Sequence, residues 1–178
     1  MTDLMVVSFM SGSGGNMVAA VIDNRGYSFT GWDYVLQEND PRIKWRHGCV
    51  EWKLQERDGD IPVMDAAFAE IRQTYHSLCS HIMWYHLRYR HNHVFIDCSS
   101  SFAANWCKAR LIKHNYLMDD PTTEPDYFMH MSGLIAPIVR KKVTLEDILD
   151  GKLITILRQW VHTPLNKNVY TEWLNANT

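Results

Sequence analysis

Cysteine is sparse in this chain, with four in 178 residues, at Cys49, Cys79, Cys98 and Cys107, and no C-x-x-C pair. That spacing excludes a disulfide framework and paired-cysteine zinc sites, and it suits reduced thiols. The nine histidines do not replace them. His76, His81, His86, His91 and His93 fall near Cys79 in sequence, but their intervals match no zinc pattern such as H-E-x-x-H, so no metal is expected. No apolar run approaches the roughly 20 residues that span a bilayer. The short run near the N-terminus has Asp3 and no basic segment before it, unlike a secretory signal. No membrane partner and a cytoplasmic location are therefore expected. A net charge of −2 gives no global attraction to nucleic acid. Internal repeats and low-complexity tracts are also lacking.

What is present is apolar and aromatic: 46% hydrophobic residues and 12% aromatics, with seven Trp and eight Tyr. This is enough for one ordered domain over residues 1–178. The chain opens on Leu4-Met5-Val6-Val7-Ser8-Phe9-Met10, breaks into Ser11-Gly12-Ser13-Gly14-Gly15-Asn16, and resumes as Met17-Val18-Ala19-Ala20-Val21-Ile22. The pattern predicts a buried strand, a tight glycine loop and a helix from Asn16 or Met17 to about Asn24, stopped by Arg25-Gly26. Such a loop directs backbone N–H groups toward one point at the positive end of a helix, which suits phosphate or sulfate. The alternative is a glycine turn that lets the helix pack closely on its sheet.

Farther on, helical spacing of Ala66, Phe68, Ile71, Tyr75 and Leu78 predicts a helix from Val63 to about Cys79, with another from His81 to Arg90. Val94–Cys98 reads as a short buried strand and Phe102–Lys113 as a helix, with Ser99-Ser100-Ser101 placed to cap it. Residues 115–137 hold three prolines and read as loop. Residues 140–145 read as a last strand, followed by a turn or short helix to Gly151, a helix through Leu153 and Leu157, and a terminal helix with Tyr170, Trp173 and Leu174. Residues 27–62 predict a lid or a surface excursion. Strands alternating with helices argue for a three-layer α/β domain with a mostly parallel sheet. Trp84–His93 interleaves arginines with aromatics, a local arrangement that could stack on bases, although nucleic acid is not the expected partner.

The strand–SGSGGN–helix start resembles the phosphosulfate-binding loop of the sulfotransferase branch of P-loop proteins. Val94–Arg110 is similar to that family's mid-chain strand–loop–helix. Val143-Thr144-Leu145-Glu146-Asp147-Ile148 and the closing Tyr170-Thr171-Glu172-Trp173-Leu174 look like its C-terminal ending. The resemblance implies a P-loop fold, a small anionic or nucleotide ligand such as phosphoadenosine phosphosulfate, and sulfuryl or phosphoryl transfer to a small acceptor. It also implies a phage or viral setting, hence host cytoplasm. Ser11, Gly12, Ser13, Gly14, Gly15, Asn16 and Ser99 become the candidate binding residues. Arg110 becomes a candidate catalytic cation, and His81 a candidate base alongside His76 and His86. Two departures stand out: Met10 and Ser11 occupy the place of a loop cation, and Asp97 lies where the family contacts a 3′-phosphate. Two other readings remain. One is a non-catalytic binding or assembly protein, such as a virion component; the other is a degenerate nucleotide kinase.

Overall fold

The computed structural model describes residues 5–24, 26–27, 35–36, 43–46, 49–52, 77–81, 92–113 and 121–178. In these, β1 (Met5–Phe9), α1 (Gly15–Asp23), β2 (Val35–Leu36), β3 (Ile43–Arg46), β4 (Cys49–Trp52), β5 (Ser77–His81) and β6 (Asn92–Asp97) lead into α2 (Ser101–Lys113). A single 3₁₀ turn, Pro121–Thr123, precedes α3 (Pro125–Ile135), β7 (Lys142–Thr144), α4 (Leu145–Leu149), α5 (Leu153–Leu157) and α6 (Lys167–Asn177). The chain is an α/β protein.

The strands form one sheet in the order β2-β3-β4-β5-β1-β6-β7. Strand β1 pairs in parallel with β5 on one side and β6 on the other, with Val7 opposite both Cys79 and Val94. Strand β6 pairs in parallel with β7, and β4 with β5, while β2–β3 and β3–β4 are antiparallel. All five residues of β1 are buried, as a central parallel strand covered on both faces requires. Met5, Val7 and Phe9 share a packed cluster with Val94 and Ile96 and with α1, whereas Phe95, on the opposite face, packs on Ile135 and Ala136 at the end of α3.

Helix α1 is buried along its whole length. Its sequence is apolar apart from Asn16 and Asp23 at its ends, and it lies between the sheet and α6. Ser77 at the start of β5 anchors it: Ser77 Oγ donates to Ala19 O (3.0 Å), and Ser77 N–H donates to Asp23 Oδ1 (2.8 Å). The helix ends at Asn24, which adopts the left-handed conformation (φ 54°) and donates its N–H to Ala20 O and Val21 O. Asparagine tolerates that conformation better than most non-glycine residues, so the stop falls before Gly26.

Three expectations need correction. Ser77–His81 is a parallel strand, so the predicted helix cannot reach Cys79 and the next cannot begin at His81; residues 63–76 and 82–90 lie outside the described residues. Strands β2, β3 and β4 extend the sheet edge within 27–62, so these parts are not a surface excursion over the core. Residues 125–135, read as loop, form α3. Its Pro125 occupies the first helical turn, where a missing N–H costs no intrahelical bond.

Candidate functional site

The chain leaves β1 through α1 toward β5, and leaves β6 through α2 and α3 toward β7. Strands β1 and β6 are neighbours, so the two connections depart in opposite directions. In open parallel sheets the crevice outside such a pair of carboxyl ends is where ligands bind. The glycine loop sits at one of these ends and Ser99 at the other.

The loop is built by close packing. Gly12 and Gly14 have φ of 87° and 86°, a left-handed backbone that L side chains rarely adopt. A Cβ on Gly12 would lie 2.8 Å from Cys107 O of α2; on Gly14, 2.7 Å from Trp173 Cζ2 of α6; on Gly15, 2.0 Å from the Phe9 ring. Ser13 is fully buried, with its Oγ donating to Met10 O at 2.7 Å and its N–H to the same carbonyl at 3.1 Å. Its hydroxyl therefore closes the turn rather than facing outward. Gly14 caps α1 with no side-chain cap, and the first intrahelical bond is Val18 N–H to Gly14 O (3.1 Å). Asn16 is buried in that first turn, and Ser11 and Gly12 are half-buried.

Arg110 reaches this loop from α2. Its Nη1 donates to Gly12 O at 3.0 Å. Its guanidinium carbon lies 4.8 Å from the Trp173 ring centroid and 5.5 Å from that of Trp106, and the two indoles are 6.0 Å apart. Stacking on indole faces fixes a guanidinium while leaving its edge able to donate. The structure thus brings together a loop at the positive end of α1, one cation and two indoles. The sequence places Trp173 on a terminal helix and Trp106 within the Phe102–Lys113 helix, and no local signal marks either as meeting the loop.

The second strand end has the opposite chemistry. Ser99 is exposed, and its N–H donates to Asp97 Oδ1 at 2.9 Å. Ser100 caps α2, its Oγ accepting from Ala103 N–H at 3.0 Å and donating to the Glu146 carboxylate of α4. The implied 3′-phosphate of phosphoadenosine phosphosulfate does not fit here, because Asp97 already takes the Ser99 N–H and two carboxylates border the turn. Cys98 and Cys107 are buried free thiols with their sulfurs 3.8 Å apart. Hydrogen bonding to Cys107, together with burial, holds the Cys98 thiol well above its ordinary pKa, so it is no thiolate nucleophile.

His81 stands at the carboxyl end of β5 in register with Phe9, at the sheet edge from which the glycine loop departs. His76 and His86 lie outside the described residues, as does most of Trp84–His93; of that stretch, His93 is buried within β6. Among the described residues no three His, Cys, Asp or Glu side chains gather where they could hold a metal ion. No helix among them is long and apolar enough to cross a membrane. Comparisons of the chain with protein-family models, with curated proteins and with solved structures return no match.

Proposed function

We propose that this chain is a three-layer, P-loop-type α/β protein, sulfotransferase-like, that binds an oxyanion group of a small ligand at Ser11–Asn16. The observation that carries the reading is the docking of Arg110 on Gly12 O. It places a fixed cation beside a left-handed glycine cap at the carboxyl end of the central parallel strand. Helix N-terminus and guanidinium both favour negative charge, and both are held in place before a ligand arrives. Placement of α1 against Ser77 and of Phe95 against the end of α3 supports helices on both faces of the sheet.

Group transfer is the activity that the resemblance adds: a sulfuryl or phosphoryl group passes from the bound ligand to the oxygen of a small acceptor, while the ligand's bridging oxygen leaves with the electron pair of the broken S–O or P–O bond. In that reaction Arg110 stabilises charge on the transferring oxygens. His81, at the neighbouring strand end, is the candidate to take the acceptor proton. A nucleotide carrying a 3′-phosphate is disfavoured by Asp97 and Glu146.

One feature favours a second reading, a non-catalytic binding or assembly protein. Gly12, Gly14 and Gly15 are each required by packing alone. Thermal-shift titration separates the two. Sulfate, inorganic phosphate and ATP with Mg²⁺ raise the melting temperature if the loop binds them, with adenosine 3′,5′-bisphosphate weaker. In Arg110→Gln the anion affinity falls about tenfold, the loss of roughly 1.4 kcal/mol of charge-assisted bonding. A flat response of the wild-type chain to all four compounds rejects the oxyanion reading and leaves the binding or assembly role.

A further inference from the structure

Packing accounts for the ring of Trp173 but not for its nitrogen. The indole is fully buried, and its Nε1–H finds no acceptor among the described residues. A buried donor without an acceptor forfeits its hydrogen bond to water, so such groups are scarce in folded proteins and each calls for an explanation. This one lies beside the glycine loop. The ring atoms nearest to a Cβ built on Gly14 are Cζ2 at 2.7 Å, then Cε2 and Cη2 at 3.3 Å. Nε1 is bonded to Cε2, so the nitrogen is one bond away from a ring atom that approaches the cap of α1. The charged group stacked on the same indole is a cation, Arg110, with its guanidinium carbon 4.8 Å from the ring centroid. An acceptor of negative charge at the cap of α1 would lie beside that guanidinium and give the orphaned N–H its partner.

Resting on the oxyanion reading above, we propose that the Trp173 indole N–H is a direct ligand of the bound oxyanion, supplied to the N-terminal loop by the C-terminal helix. A neutral N–H can only donate. The ligand oxygen that it meets therefore acts as an acceptor, as any unprotonated oxygen of a sulfate or phosphoryl group can. Trp160, on the turn after α5 and outside this stack, takes no part in this bond and serves as the internal control.

The test uses ¹⁵N-labelled full-length chain titrated with inorganic sulfate and, separately, inorganic phosphate. The seven indole N–H signals are followed together with affinity. The signal absent from the Trp173→Phe spectrum should move downfield at saturation. Trp173→Phe should bind both anions about tenfold more weakly, the magnitude of one charge-assisted hydrogen bond, whereas Trp160→Phe should stay within about twofold of the wild type. Wild-type binding with an unmoved Trp173 signal, or equal weakening in the two variants, overturns the proposal and leaves the oxyanion reading standing. Absence of any anion response in the wild-type chain overturns both. Should Trp173→Phe fail to fold, the wild-type signal, assigned by its nuclear Overhauser contact to Gly14, decides the matter alone.

Discussion

Two turns stand side by side at the carboxyl edge of the sheet, one after β1 and one after β6, and they are held shut by different means. The glycine loop is closed by contact: Cys107, Trp173 and Phe9 fill the spaces where Cβ atoms would stand, and the Arg110 cation is bonded to it. The turn after β6 is closed by polar bonds: Asp97 accepts the Ser99 N–H, and Ser100 caps α2 while donating to Glu146. Helix N-termini of equal polarity thus follow two neighbouring strands, but among the described residues a carboxylate is bonded only at the second. A helix start is therefore not in itself an anion site. What counts is whether the chain has already supplied the negative charge.

The sharpest way to break the comparison is to add a methyl group to the contact-closed turn. Gly15→Ala places a Cβ 2.0 Å from the buried Phe9 ring. It should cost about 3 kcal/mol or prevent folding, the upper range for overpacking a core, as measured by urea denaturation. An equally small change on the polar-closed turn should cost less. Ser100→Ala removes the cap of α2 and the donor to Glu146, and its expected loss is about 1–2 kcal/mol in the same assay. Equal losses would mean that the two turns do not differ in how they are held. The smallest effect sharpens the electrostatic half of the contrast. Asp97→Asn keeps an acceptor for Ser99 N–H but discharges the turn, so stability should change by no more than about 0.5 kcal/mol. Binding of adenosine 3′,5′-bisphosphate by this variant should strengthen about threefold relative to sulfate, read by calorimetric titration.

These contrasts were unevenly legible in the sequence. The strand–loop–helix start stood out because six small residues interrupt two apolar runs, and the helix at α2 followed from its spacing and its serines. The strand β5 did not. Ser77–His81 is a parallel strand in the sheet interior, which lacks the two-residue alternation of a half-exposed one, and the spacing of Ile71, Tyr75 and Leu78 pointed to a helix. Helix α3 was hidden by prolines, although Pro125 at its first turn is compatible with a helix start. Within the site, the glycines were visible but their reason was not. Left-handed φ at Gly12 and Gly14 can be guessed from residue type, whereas the approach of Trp173 to Gly14 is a tertiary contact that no local pattern encodes. Arg110 was singled out by resemblance alone; its bond to Gly12 O required the fold.

The seat of Trp173 on Gly14 also has a bearing on how the chain acquires its shape. The loop and its closing residue belong to the first and last elements described here, so the contact has very high sequence separation and its loop-closure entropy must be met late. A growing chain emerges with the strand, the glycine turn and α1 long before α6 is available. Until that last helix docks, Gly14 lacks its lid, α1 keeps an apolar flank in water, and Arg110 has one indole beneath it instead of two. Completion of the loop therefore waits on α6, so lesions in α6 should register at the glycine loop.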